Sequence, residues 1–449
     1  MENKILNYKE FFKGKKITVM GLGLLGRGVG DAMFLAECGA ELIITDLKSS
    51  AELRPSLQKL LKYKNIKYTL GEHKLADFQN RDIILKSAGV PFDSVCIAEA
   101  NKNRIPVEMS AALFARFSNV PMIGITGTRG KSTVTNLIAH LLKKSGQKVI
   151  LGGNVQGVSN LQLLKKSPPK QGGASNGGIA VFELDSWQLQ GFNQSRISPA
   201  VAVFTTFFPD HMKYYGNDMK KYYEDKASIF KYQNKNDLLV MGSQALPFFE
   251  NWKGEYRGRL VVAKNTLPVD LKISMKGEHN VYNAMLAVEV VKRLGVKDEV
   301  IKKALRSFKG VPGRLELVRD INGVKYYNDT TATTPEATIA ALQALGVNKN
   351  VILIAGGSDK GLDMSILLKD IPKYTKTVFL LAGNGTETVK GKIANSVEVK
   401  NLKQAVTLAK KFAKKGDVIL LSPAFASFGM FQNEYDRGEQ FNKIVKGLK

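Results

Sequence analysis

One stretch limits the folds open to this chain: Ile123-Gly124-Ile125-Thr126-Gly127-Thr128-Arg129-Gly130-Lys131-Ser132-Thr133. An apolar strand runs into a glycine-rich turn and then into a helix expected over Ser132 to Lys144. Glycines let backbone N–H groups close around a phosphate, a lysine reaches the outer phosphates, and a hydroxyl can hold Mg²⁺. The helix that follows points its positive end at the same anion. The usual phosphate loop places four residues between its first glycine and the Gly-Lys pair. Here Gly124 lies one residue too far out and Gly127 too near, so the loop is a variant. A chance Gly-Lys-Ser turn is the bland alternative, and the strand before it and the helix after it argue against that.

A chain of 449 residues holds two to four domains of about 100–200 residues each, and three is the natural division. Hydrophobic residues make up 44% of it, ample for large cores. Cys38 and Cys96 stand far apart, which suits neither a disulfide framework nor a cysteine metal site; buried, reduced thiols are expected. The first residues lack a signal-peptide core and no apolar run is long enough to cross a membrane, so a cytoplasmic protein without membrane insertion is expected. The formal charge of +26 invites a nucleic-acid partner. Yet the lysines are spread along the whole chain with no recognition motif, and anionic small-molecule substrates explain the charge as well.

Along the chain, Lys16 to Met20 reads as a buried strand, followed by Gly21-Leu22-Gly23-Leu24-Leu25-Gly26 and a helix through Cys38. A second strand, Glu41 to Thr45, ends at Asp46. Turn glycines for phosphate approach and an acid for a ribose or base make a Rossmann-like nucleotide domain, without establishing a nicotinamide ligand. A strand over Asp82 to Leu85 leads into the turn Lys86-Ser87-Ala88-Gly89-Val90-Pro91. After the phosphate loop come strands at Val149 to Leu151, Ile179 to Phe182 (delivering Glu183) and Ala200 to Thr205 (leading to Asp210-His211). A loop over Lys165 to Gly178, a helix over Met219 to Phe230 and a helical stretch over Met275 to Leu294 are also expected. A third α/β region shows strands at Lys325 to Asn328, Val351 to Ala355, Thr377 to Ala382 and Asp417 to Leu421, each ending in small or polar residues that suit a second substrate.

Mg²⁺ takes oxygen ligands, and Ser132 and Glu183 fit, with Asp185 a further candidate; His211 is as consistent with a structural role as with a ligand. These residues add up to a resemblance. Thr126-Gly127-Thr128-Arg129-Gly130-Lys131-Ser132, Glu183-Leu184-Asp185-Ser186, Asp210-His211-Met212, Gly277-Glu278-His279-Asn280-Val281-Tyr282-Asn283 and Pro312-Gly313-Arg314-Leu315-Glu316 resemble the Mur ligases in order and across the whole chain. Folylpolyglutamate synthases are relatives of that family. The glycine turn at 21–26 and the run Leu420-Leu421-Ser422-Pro423-Ala424-Phe425-Ala426-Ser427 through Asn433 resemble the member that adds D-glutamate to UDP-N-acetylmuramoyl-L-alanine.

The resemblance implies three α/β domains: a Rossmann-like UDP-substrate domain over 1–118, a central ATP-binding domain with a mostly parallel sheet over 119–311, and a C-terminal Rossmann-like amino-acid domain over 312–449. It implies an ATP-dependent amide ligase that works through an acyl phosphate in peptidoglycan precursor synthesis, as a monomer without nucleic acid, with the third domain closing onto ATP. Gly127, Thr128, Gly130, Lys131, Ser132 and Thr133 would hold ATP phosphates, Asn280 and Asn283 the adenine, Arg314 the γ-phosphate and Asp329 the ribose side. Two Mg²⁺ ions would sit on Ser132 and Glu183 and on His211 and a carbamylated Lys226. Lys131, Glu183, His211, Lys226 and Arg314 would form the catalytic set. Gly23, Leu24, Asp46, Ser87, Gly89, Asn154 and Ser186 would take the UDP substrate, and Thr333, Lys360 and Ser427 the D-glutamate. The chain departs from the family pattern at Arg129, at Asp185 where Ser is usual, at Thr331 where Lys is usual, and at Glu434 in place of an aromatic residue. A ligase for another amino acid or acceptor, and a non-catalytic nucleotide- or nucleic-acid-binding protein, are the alternatives.

Overall fold

A computed structural model describes residues 7–167, 178–275 and 277–448. The chain forms two compact units, one of Met1–Leu267 with Tyr282–Ala304 and one of Pro268–Val281 with Leu305–Lys449. Three sheets, each flanked by helices, make up the fold.

The first sheet uses β1 (Lys16–Met20), β2 (Glu41–Asp46), β3 (Ile66–Leu70), β4 (Ile83–Lys86) and β5 (Val107–Glu108) in the order β3-β2-β1-β4-β5, all parallel. Val19 lies in register with Ile44 on one side and Leu85 on the other. The order reverses between β1 and β4, and such a reversal opens a crevice at the strands' carboxyl ends. The second sheet holds β6 (Met122–Thr126), β7 (Val149–Gly153), β8 (Ile179–Glu183), β9 (Val201–Phe204), β10 (Leu238–Gly242) and β11 (Arg259–Ala263), ordered β11-β10-β9-β6-β8-β7 and parallel throughout. Strands β6 and β10 are near-continuous apolar runs and are buried along their whole length, as strands covered on both faces must be. Because β8 and β9 flank β6, the residues after Thr126, Glu183 and Phe204 emerge side by side.

In the second unit, β12 (Glu316–Ile321), β13 (Val324–Asn328), β14 (Val351–Gly356), β15 (Thr375–Leu381), β16 (Ser396–Val399) and β17 (Val418–Leu421) form the order β12-β13-β17-β14-β15-β16. Only the β12–β13 hairpin is antiparallel; it turns at Asn322 and Gly323, both with positive φ, the geometry an Asn-Gly turn favours.

The expected strands and helices form with small boundary shifts. The helix after the phosphate loop starts at Lys131, and the helix expected to reach Phe230 spans Met219–Ala227. Lys165 and Lys166, expected to open a loop, close a short 3₁₀ helix over Gln162–Lys166; most of that loop, residues 168–177, lies outside the described residues. Cys96 is buried, but Cys38 is only partly so, and neither forms a disulfide. No described helix is long and apolar enough to cross a membrane.

Candidate active site

The phosphate loop is stitched to the segment after β9. Thr128 N–H donates to the Thr206 carbonyl at 2.7 Å, Arg129 N–H to Thr206 Oγ1 at 2.9 Å, and Phe208 N–H to Thr128 Oγ1 at 3.0 Å. Gly127 and Gly130 have φ of 138° and 86°, and a Cβ at either would run into Thr205 or Asn283. The loop therefore tolerates only glycine at both positions. Lys131 folds back over it, donating to the Gly127 and Thr128 carbonyls at 2.9 and 3.1 Å.

Lys226, on the helix Met219–Ala227, donates to the same Gly127 carbonyl at 2.9 Å and lies 4.8 Å from the Tyr222 ring centroid. Its side chain is 1% exposed, and among the described residues no carboxylate pairs with it. Burial, with the Lys131 ammonium beside it, holds its amine well below the usual lysine range. Glu183, at the tip of β8, is 7% exposed, and among the described residues its carboxylate has no hydrogen-bond or ion-pair partner. A buried carboxylate of that kind is costly unless a cation meets it. His211 has φ of 55° and packs on Trp187 at 4.6 Å between centroids, with Nε2 3.8 Å from Asp210 Oδ2. Burial lowers its imidazole pKa against the pull of Asp210, favouring the neutral form that ligates metals. Asp185 caps the helix Ser186–Ser195 through Gln188 N–H at 2.7 Å, and Ser186, the first residue of that helix, is buried. Asn283 is buried against Gly130, and Asn280 is buried one turn earlier on the same helix, Glu278–Arg293.

In the first sheet, Asp46 spends both carboxylate oxygens on the glycine turn and its own loop, accepting Gly23 N–H at 3.0 Å and Lys48 N–H at 2.9 Å. Ser87 packs directly against Gly21, so the two turns close on each other, while Leu24 and Gly89 stay exposed. Asn154, just past β7, accepts a 2.6 Å hydrogen bond from Arg27.

The second unit builds its strand ends from distant segments. Asp329 accepts Ser422 Oγ–H at 2.9 Å and Leu315 N–H at 3.1 Å; burial pushes its carboxyl up to about 7. Arg437 is 0% exposed and donates to Thr330 Oγ1 at 3.1 Å, to the Thr330 carbonyl at 2.8 Å and to the Phe425 carbonyl at 3.3 Å. A bridge between Ser358 and Ala426 brings the loops after β14 and β17 together, and with them Lys360 and buried Ser427. Lys360 Nζ reaches Thr333 Oγ1 at 3.5 Å.

Three family descriptions match in order: "Mur ligase MurD-like, N-terminal domain" over residues 15–108, "Mur ligase middle domain" over 125–257, and "Mur ligase, glutamate ligase domain" over 313–425. The chain belongs to the Mur ligase family. This Mur ligase is 33% identical to a Roseiflexus protein named UDP-N-acetylmuramoylalanine--D-glutamate ligase, over 97% of this chain and 99% of that one. It is 35% identical to the Borreliella afzelii protein of the same name, over 97% and 98%. The Thermotoga maritima MurF ligase, solved in complex with ADP, shares the fold at a TM-score of 0.58 and 18% identity, over 98% of this chain and 97% of that one.

The residues read from the sequence thus fall into local groups: Lys131, Glu183, His211 and Lys226 with the second sheet, and Asp329, Thr333, Lys360 and Ser427 with the third. Two residues of this Mur ligase escaped the sequence reading. Arg27 carried a faint signal, directly after the glycine turn; Arg437 sits in an amphipathic helix and carried none. The two departures in the second unit have local roles, as Arg129 and Asp185 do in the first. Thr331 Oγ1–H donates to the Gly313 carbonyl at 3.0 Å, and Glu434 opens the helix Glu434–Lys446, where a carboxylate suits the helix dipole.

Proposed function

We propose that this Mur ligase joins D-glutamate to UDP-N-acetylmuramoyl-L-alanine, with ATP cleaved to ADP and phosphate, in cytoplasmic peptidoglycan precursor synthesis. The observation that carries this reading is identity of 33–35% along nearly the whole chain to proteins bearing that ligase name. The alanyl carboxylate attacks the γ-phosphorus of ATP and ADP leaves. The amine of D-glutamate then attacks the acyl phosphate, and the tetrahedral intermediate expels phosphate.

ATP phosphates go to Gly127, Thr128, Gly130, Lys131, Ser132 and Thr133, the adenine to Asn280 and Asn283, the γ-phosphate to Arg314 and the ribose side to Asp329. Lys131 and Arg314 offset the repulsion between a carboxylate and a polyphosphate. Mg²⁺ would be held by Ser132 and Glu183 and by His211 and Lys226, and it would screen the phosphate oxygens. The Glu183 carboxylate, without a partner among the described residues, and the lowered His211 imidazole fit that donor set. Lys226 is read as carbamylated: a neutral buried amine adds CO₂ and loses a proton, which turns a cation into an anionic oxygen ligand. Gly23, Leu24, Asp46, Ser87, Gly89, Asn154 and Ser186 take the UDP substrate; Thr333, Lys360 and Ser427 take D-glutamate. The domains are read as 1–118, 119–311 and 312–449, in a monomer with no nucleic-acid partner.

Phosphate release is measured with ATP, Mg²⁺ and the UDP substrate while single amino acids are added. Release that requires D-glutamate, with the matching mass gain on the nucleotide, is expected. Release that requires another amino acid would move the specificity, and none from folded protein would end the ligase reading.

A further inference from the structure

The helix Arg27–Glu37 of the first domain is latched to the segment after β7 by polar contacts along its length. Ser159 Oγ–H and Leu161 N–H donate to the buried Asp31 carboxylate at 2.6 and 3.2 Å, and Gln162 Nε2 donates to the Gly30 carbonyl at 3.1 Å. Lys165 pairs with Glu37 at 2.5 Å. The helix also packs closely on that segment: a Cβ on Gly26 would lie 3.7 Å from Gly157 Cα, and one on Gly30 would lie 2.5 Å from Ser159 Cβ. Arg27 therefore stands at a fixed place, between the glycine turn and Asn154, and its Nη1 donates to Asn154 Oδ1 at 2.6 Å.

That bond has two consequences. It occupies the acceptor end of the Asn154 amide, so the NH₂ end is the one left to donate. It also uses only part of the Arg27 guanidinium; among the described residues Asn154 is its one hydrogen-bond partner. Lys86, at the end of β4, is buried beneath its own turn, donating to the Val90 carbonyl at 2.7 Å and lying 4.3 Å from the Phe92 ring centroid. Lys86 is thus committed to the turn, whereas the Arg27 guanidinium, held beside the glycine turn and Asn154, keeps donors to offer a ligand.

We propose that Arg27 binds the diphosphate of the UDP substrate and sets Asn154 to donate to the same group. This rests on the function proposed above and adds a residue to its substrate site. A guanidinium suits the role because its planar fork meets phosphate oxygens while keeping the bond to Asn154.

The test titrates UDP and uridine calorimetrically into the wild type, Arg27→Gln and Arg27→Lys, with thermal melting to confirm that each variant is folded. Arg27→Gln should weaken UDP binding ~10- to 100-fold while changing uridine less than ~2-fold, the scale of a charge-assisted contact. In turnover, KM for the UDP substrate should rise while kcat and the KM values for ATP and D-glutamate hold. Arg27→Lys, which keeps the charge without the fork, should recover part of the UDP affinity. Unchanged UDP binding in Arg27→Gln overturns the inference. So do equal losses for UDP and uridine, or a lysine variant as weak as the glutamine one. A wild type that binds no UDP overturns the function reading along with it.

Discussion

The carboxyl ends of the second and third sheets both gather ionisable groups, but they satisfy them differently. Around the phosphate loop, Lys131 and Lys226 share one backbone carbonyl, and Glu183 has no protein partner among the described residues. In the third sheet, Asp329 is bonded to Ser422 and Leu315, and Arg437 spends its guanidinium on three protein oxygens. The first arrangement leaves buried charge to be completed by a ligand. The second uses buried charge to hold loops in place. The difference teaches that burial of a charged side chain does not by itself mark chemistry; what matters is whether the protein already answers it.

Substitutions at the two sheets should separate along that line. Lys131→Ala should lower ligation on the order of 10³-fold while lowering stability by only about 1 kcal/mol, because Lys226 still donates to the Gly127 carbonyl. Arg437→Met should do the reverse. Stranding the Thr330 and Phe425 carbonyls should cost about 3 kcal/mol of stability in denaturant titration, with KM for D-glutamate rising more than KM for ATP. Asp329→Asn sharpens the contrast through pH. Its folded carboxyl is raised by burial from 3.8 to about 7, so the native state holds the proton more readily than the unfolded chain. The wild type should lose stability on the order of 4 kcal/mol from this group as pH rises from about 4 to about 7, with no further change above. The Asn variant should lack that slope in pH-dependent melting. Thr331→Val is the mildest: it removes the hydroxyl bond to the Gly313 carbonyl and should cost about 1 kcal/mol. If Arg437→Met instead left stability intact and abolished turnover, the two regions would not differ as described.

The same division governs what the sequence revealed. The phosphate loop, its glycines and its lysine are contiguous, so strand, turn and helix could be read directly from 123–144. Strands covered on both faces, such as β1 and β14, stood out as apolar runs. Of the six strands not foreseen, five are sheet edges: β3, β5, β11, β12 and β16. There one side faces solvent, and the apolar run dissolves into sequences such as Glu316-Leu317-Val318-Arg319-Asp320-Ile321. The exception, β10, has the burial and composition of a core strand and was readable. So was the Asn322-Gly323 turn beside β12. Lys226 gained a role only through the family resemblance, because nothing in a basic helix distinguishes the one lysine whose amine is buried against a loop a hundred residues away. Arg437 lies further still from legibility, since its meaning resides wholly in the Thr330 and Phe425 carbonyls it meets.

The account's central claim is that the groups around the phosphate loop do the phosphoryl chemistry while the third sheet's strand ends serve the incoming amino acid. Borohydride reduction of the acyl phosphate formed from ATP and UDP-N-acetylmuramoyl-L-alanine, with D-glutamate absent, tests it most directly. Lys360→Ala should still yield the reduced alcohol at near wild-type levels while losing ligation, and Lys131→Ala should yield none. Loss of the alcohol in Lys360→Ala, or its persistence in Lys131→Ala, would contradict that division of labour.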